Sequence, residues 1–453
     1  MRRVSKFLSP LFVCALAVVA AQAQAPRNVR VDFKETTLKN GLHVITVEDH
    51  SAPVVAISIT YNVGSRNERQ GRTGFAHLFE HMMFKGSENV GTGEHFYLIF
   101  NNGGTMNGTT NEDRTTYFEA LPANQLDLAL FLEADRMRSL VINKANLDNQ
   151  RNAVQEERRL GVDNQPYGKS GEIQQGLIYD NFAYKHTVIG SMDDLNAASV
   201  EDVADFFKMY YAPNNAVLAL VGDFKTADAL KKIKDYFERI PRQPDPPAVD
   251  MTEPEQKAER RASVDDTLAR LPQVDIAFKT VPGNTPDFYA LQVLSAALQQ
   301  GQSSRLYQAL VKDKQLVQSV GGFADEKRGT GAFYTSATVR QGVKTEDVET
   351  AIYAEIERLK SEGIADWELQ KAKNTQRRNF INSMQSSLSR ALNISVWTTY
   401  YNDPNLINMR LSKVDAVTKA DVQRVANKYL VTPNRTVVVT MPKAKGPTAA
   451  SQQ

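Results

Sequence analysis

Apolar and polar positions change period several times in the first half of the chain. LKNGLHVITVED reads as a hairpin arm leaving an Asn40-Gly41 turn. Residues 53–63 form an almost continuous apolar run, the pattern of a buried strand. Residues 73–85 read as a helix, TTYFEA at 115–120 as a strand, and 124–139 and 145–160 as helices. Strands and helices do not alternate regularly. The pattern predicts an α+β fold, a mixed sheet with helices packed on one side of it.

The pattern then repeats. EDVADFFKMYYAPNNAVLALV and ADVQRVANKYLVTPNRTVVVT each give a helical period, a Tyr, a Pro-Asn pair and a β-branched strand. VVAISITYNVGS (54–65) and VDIAFKTVPGN (274–284) each enter a Gly-containing turn and lead into an apolar helix. Two matches in the same order predict two homologous α/β-mixed halves. Between them, residues 241–262 are rich in Pro and charge and carry no apolar period, so they read as a linker. The expected organisation is a first domain at 30–240, a second at 263–445 and a disordered tail at 446–453.

Composition changes this picture little. At 453 residues, with 42% hydrophobic and 23% charged residues, the chain has the profile of a multi-domain globular protein. A net charge of +2 excludes a nucleic-acid or membrane-surface partner held by charge alone. The N-terminus differs in kind. MRRVSKF is basic, LSPLFVCALAVVA is apolar but too short to span a bilayer, and Ala21 and Ala23 form an A-x-A site. Residues 1–23 read as a signal peptide, and the expected location is periplasmic or secreted, with no membrane span after cleavage. Cleavage removes Cys14, the single cysteine, so a metal in the mature chain must be held by His, Asp or Glu.

Candidate chemistry lies in GFAHLFEHMMFKG, which holds two of the six histidines. His77, Glu80 and His81 fall at i, i+3 and i+4, on one face of a helix that is otherwise apolar. Two imidazoles at that spacing reach one metal ion, and a buried carboxylate needs a partner or a metal. A catalytic zinc takes a third protein ligand and keeps an open position. NQRNAVQEERR offers Glu156 and Glu157. At 100° per residue Glu157 falls in the middle of the arc of Leu147, Gln150, Ala153, Val154 and Leu160, a face expected to be buried. Glu156 points outside it, as a solvated charge would.

H-x-x-E-H with 75 residues between His81 and Glu157 is the inverted zinc motif. With NGTTNEDRTTYF, NAVQEERR, NQPYG, YYAPNN and GQSSRLYQALV, it makes the sequence resemble the pitrilysin/insulinase family of zinc metallopeptidases. The form is that of bacterial members related to mitochondrial processing peptidase. The resemblance implies a zinc endopeptidase with one zinc per chain on His77, His81 and Glu157, and Glu80 as general base. It implies peptide substrates added as a strand to a sheet edge at Asn107 and Gly108, with Arg328 and Tyr334 from the second half completing the site. The histidine-free second half is then a wall that closes a chamber, and the molecule works as a homodimer or with a zinc-less paralogue. Gln150 stands where many relatives carry a second glutamate. The alternatives are a non-catalytic scaffold or assembly subunit of the same family, and a zinc hydrolase of non-peptide amides.

Overall fold

The computed structural model describes residues 30–443; the signal-like segment and the C-terminal tail lie outside them. The first sheet contains β1 (Lys34–Thr37), β2 (His43–Glu48), β3 (Val54–Tyr61), β4 (Thr105–Thr110), β5 (Thr115–Pro122) and β6 (Ala216–Gly222). Their order is β1-β2-β6-β3-β5-β4, with β2 and β6 parallel and the other pairs antiparallel. The second sheet contains β7 (Arg260–Asp266), β8 (Gln273–Lys279), β9 (Val317–Ala324), β10 (Ala332–Val339) and β11 (Arg435–Pro442). Its order is β7-β11-β8-β10-β9, with β7 and β11 parallel. Strand for strand it repeats β2-β6-β3-β5-β4. The molecule is a mixed α/β protein with two related sheets, as the repeated sequence pattern predicts.

Five helices of the first half matter for the site: α1 (Phe75–Met82), α2 (Glu94–Asn101), α3 (Leu126–Ser139), α4 (Lys144–Arg158) and α5 (Gly168–Ile178). The period-2 alternation of the strands sends side chains to opposite faces of the first sheet. Val55, Ile57, Ile59, Leu218 and Leu220 pack with Leu78, Phe79 and Leu130 of α1 and α3 in one core. Ala56, Val217, Ala219 and Val221 point the other way, into a core built with Ala391 and Ile394.

Those last two residues belong to helix Ser387–Tyr401 of the second half. Ser58 and Thr60 of β3 hydrogen-bond its Ser395 at 2.8 and 2.9 Å. The exchange is reciprocal. Ile178 at the end of α5 packs with Ala277 and Ala332 of the second sheet, and Ser170 of α5 bonds Thr440 of β11. Each sheet therefore carries its own helices on one face, as expected, and one helix lent by the other half on the other.

Residues 241–259 contain no helix or strand, and β7 begins inside the expected linker. The segment is nonetheless fixed. Glu253 accepts hydrogen bonds from the Asp180 and Asn181 backbone at 2.8 and 3.1 Å, and Gln256 donates to Pro433 and Arg435 carbonyls at 3.1 and 2.9 Å.

Candidate metal centre

α1 starts at Gly74, whose φ of +85° suits a residue without Cβ. No side chain of its own N-cap serves the helix. Glu68 does so from six residues away, its carboxylate accepting from Gly74 and Ala76 N–H at 2.9 and 2.7 Å. His186 holds Glu68 in turn, at 2.9 Å. Phe75, Leu78, Phe79 and Met82 fix the helix in the core. The polar positions His77, Glu80 and His81 then share the remaining side, between α4 and β4.

α4 begins at Asn143, which accepts from the Asn146 N–H, and runs past α1. Glu157, in its last turn, places Oε2 3.6 Å from His77 Nε2 and 3.4 Å from His81 Nε2. One donor atom from each of the three side chains lies within 4.8 Å of the others. Ligands of a tetrahedral zinc stand roughly 3.4 Å apart, so the donor set fits with little movement. The imidazoles cross at 81° with centroids 4.8 Å apart. Glu156 is turned away to an exposed ion pair with Arg159. The expectation that Glu157 sits on a buried face is corrected: its side chain is 52% exposed, and Ala153 and Leu160 are exposed too. The arc meets the core through Leu147, Gln150 and Val154 and then runs out over open space.

Burial pushes the His77 imidazole down to about 4, helped by His81. Burial also lowers His81, against the opposing effects of Glu157 and Gln150. Both rings are thus neutral near pH 7, the form that ligates a metal. Gln150 Nε2 donates to Asn149 Oδ1 at 2.6 Å. The buried His77 Nδ1 has no hydrogen-bond partner among the described residues.

Glu80 stands beside the three donors without joining them. Burial raises its carboxyl to about 7, against the pull of the Thr110 hydrogen bond and the Arg114 charge. Thr110 Oγ1 donates to Glu80 Oε2 at 2.5 Å. On the other side, a Cβ on Gly108 would lie 2.9 Å from Glu80 Oε1. Neither contact follows from the helix motif. The available signal is the period of β4, which puts Met106, Gly108 and Thr110 on one face.

Among the described residues β4 pairs only with β5, so it is a sheet edge. Asn107 and Gly108 lie in its middle, and the Gly108 N–H is taken by the Asn107 side chain at 2.9 Å. Arg328 and Tyr334 make no hydrogen bond or ion pair with His77, Glu80, His81 or Glu157. Arg328 reaches Asn62, and its N–H donates to Asp113 at 2.9 Å. Tyr334 packs with Tyr179, Tyr184 and Phe323. Both belong to the join between the halves.

Comparison with known proteins agrees with this architecture. The insulinase (peptidase family M16) model matches residues 43–168, which hold all three donors, and the peptidase M16 inactive domain model matches residues 197–376. The chain is 32% identical over 444 residues to the zinc protease PqqE of Helicobacter pylori, covering 97% of this chain and 99% of that one. A probable mitochondrial-processing peptidase subunit beta of Arabidopsis thaliana is 25% identical over 416 residues, 88% of this chain and 76% of that one. The crystal structure of a protease from Helicobacter pylori superposes with a TM-score of 0.86 at 31% identity, covering 91% of this chain and all of the other. With a repeated sheet, an inverted zinc motif and a relative this similar along nearly its whole length, the chain belongs to the pitrilysin/insulinase family of peptidases, M16.

Proposed function

We propose that this protein is an exported zinc-dependent endopeptidase acting on peptides or unfolded polypeptides. The observation that carries the reading is the meeting of His77, His81 and Glu157 with Glu80 held next to them but hydrogen-bonded elsewhere. His77, His81 and Glu157 would hold one zinc, which when bound polarises a substrate carbonyl and lowers the pKa of a water towards ~7. Glu80 is the proton carrier. In hydrolysis the OH of water ends on the acyl carbon and its proton on the leaving amine, and Glu80 takes that proton and delivers it. Asn107 and Gly108 on the β4 edge offer backbone groups to an extended peptide, the Gly108 N–H being released by Asn107 as the new strand pairs.

Export rests on the signal-like residues 1–23. Among the described residues no helix is long and apolar enough to cross a membrane. Arg328 and Tyr334 are the candidates to complete the substrate side of the site, and a second subunit, another copy or a zinc-less paralogue, is the proposed partner that supplies it if they do not.

The test is zinc analysis and hydrolysis of an internally quenched peptide by the purified protein and its Glu80→Gln variant. Gln is nearly isosteric with Glu and is not needed as a ligand, so zinc should stay. Turnover should fall by about 10²- to 10⁴-fold. Unchanged turnover would remove Glu80 from its role, and loss of zinc with the fold intact would make it a ligand. A zinc-loaded wild type that leaves the peptide whole would favour the non-catalytic scaffold.

A further inference from the structure

We infer that Thr110 is a positioning residue for the reaction, acting through Glu80. The inference rests on the peptidase reading above and assigns the orientation of its proton carrier to one hydroxyl group.

Among the described residues, Thr110 is the one side chain that hydrogen-bonds Glu80. It holds Oε2 and leaves Oε1 without a protein partner, facing the space that Gly108 keeps clear. The hydroxyl is committed to this bond. Its other neighbour, Thr115 Oγ1, is 3.3 Å away and spends its own proton on the Val63 carbonyl at 2.9 Å. Thr115 therefore cannot donate to Thr110, and the carboxylate at 2.5 Å is the better acceptor. Thr is also β-branched, so χ1 of Thr110 is stiff in a strand.

The mount is rigid as well. Thr110 is the last residue of β4, directly opposite Thr115. The turn beyond it closes with Asn111, whose Oδ1 accepts from the Asp113 and Arg114 N–H groups at 2.8 and 2.9 Å. The turn is then clamped by the second half. Asn111 Nδ2 donates to Tyr400 at 2.8 Å, and Lys327 pairs with Glu112 at 2.7 Å. The histidine-free half thereby bears on the proton carrier through the strand end that holds Thr110.

The chemical consequence concerns which oxygen works. A proton arriving at Oε1 leaves Oε2 still accepting from Thr110, so the bond persists in both protonation states. Without the hydroxyl, no protein hydrogen bond among the described residues fixes the last torsion of the carboxyl group. The loss falls on the step that moves the proton and not on peptide binding, which belongs to the strand edge.

The experiment compares wild type, Thr110→Val and Thr110→Ser, each loaded with zinc, on an internally quenched peptide. Zinc per chain, melting temperature and anisotropy of a labelled, uncleaved peptide are measured on the same samples. Thr110→Val should lower kcat by about 10- to 100-fold, the worth of one hydrogen bond to a charged group. KM, zinc content and peptide binding should hold. Thr110→Ser, which keeps the hydroxyl, should recover kcat to within a few-fold. Wild-type kcat in Thr110→Val overturns the inference. So does an equal loss in Val and Ser variants, or a loss that tracks zinc or melting temperature, since each marks a merely structural role. A wild type that binds zinc and turns over nothing removes the peptidase reading itself, and the inference with it.

Discussion

Among the described residues two clusters each bring together three histidine and glutamate side chains, and they differ in burial and in charge. His77, His81 and Glu157 bring three donors within 4.8 Å of one another; so do His95, Glu119 and Glu133. The second cluster lies in the core between α2, β5 and α3, with His95, Glu119 and Glu133 at 3%, 0% and 1% exposure. Arg136, one turn along α3 from Glu133, donates to both oxygens of that carboxylate. Its guanidinium lies over the rings of Tyr117 and Phe84, 4.4 and 5.3 Å from their centroids. In this cluster the cation is already part of the chain. Among the described residues no Lys or Arg pairs with Glu157, and its side chain opens to solvent. Donor spacing is thus a weak criterion by itself. A working metal site also needs negative charge left uncompensated and a face through which ion and substrate enter.

The largest effect expected from this contrast is on metal content. The wild type should carry one zinc per chain by elemental analysis, not two. His77→Ala, His81→Ala and Glu157→Gln should each bring it close to zero, since an open site has no spare protein ligand. His95→Ala should leave it at one. Two zincs per chain, falling to one in His95→Ala, would break the comparison.

Next in size is the effect on stability of removing the built-in cation. Arg136→Met leaves Glu133 buried without its partner, which should cost about 3–5 kcal/mol, read as a lower urea midpoint. Zinc content should stay at one. A second zinc appearing in this variant would show that charge compensation alone had excluded it, and that burial had not.

The contrast also explains what the sequence makes legible. The first cluster is written locally: His77, Glu80 and His81 are one helical turn, and helical geometry separates Glu157 from Glu156. The two sheets are legible because a strand pattern recurs in order. Other features depend on contacts between distant segments of chain. Helix Ser387–Tyr401 covers the first sheet and α5 packs on the second, contacts that no local period in either segment encodes. Thr110 carries no charge and sits in a stretch of four threonines and two asparagines, NGTTNEDRTT, that reads as a turn and a strand. Arg328 meets Asn62 and Asp113, and Tyr334 a tyrosine cluster, contacts across the join that sequence spacing does not encode. The second cluster left a fainter trace. The alternation of Tyr117, Glu119 and Leu121 in β5 points Glu119 inward, into a core that must neutralise it.

How that neutralisation is achieved gives the smallest effect and the finest test. Glu119 on β5 faces His95 of α2 at 3.8 Å and Glu133 and Arg136 of α3, and neither of its oxygens has a hydrogen-bond partner among the described residues. Burial, reinforced by Glu133 and opposed by Arg136, holds its carboxyl well above the usual carboxylate range. Burial, with Arg136, holds His95 well below its ordinary value. Glu119 is therefore a neutral acid in the fold and an ionised one in the unfolded chain above about pH 4.5. The sign follows from linkage. Its contribution to stability is full below about pH 4.5 and is lost as pH rises towards the folded value, because the folded state holds a proton that the unfolded state has released. Glu119→Gln keeps the shape and removes this titration. The variant should gain on the wild type as pH rises from about 5 to 8, by at most about 1.4 kcal/mol per pH unit. Urea midpoints of the two proteins at matched pH measure the difference directly. A carboxylate bound to a cation would be ionised in the fold and would give the opposite slope, with Glu119→Gln falling behind as pH rises. That slope would show Glu119 ionised in the fold, and the zinc content of the same samples would then assign its cation to Arg136 or to a second metal.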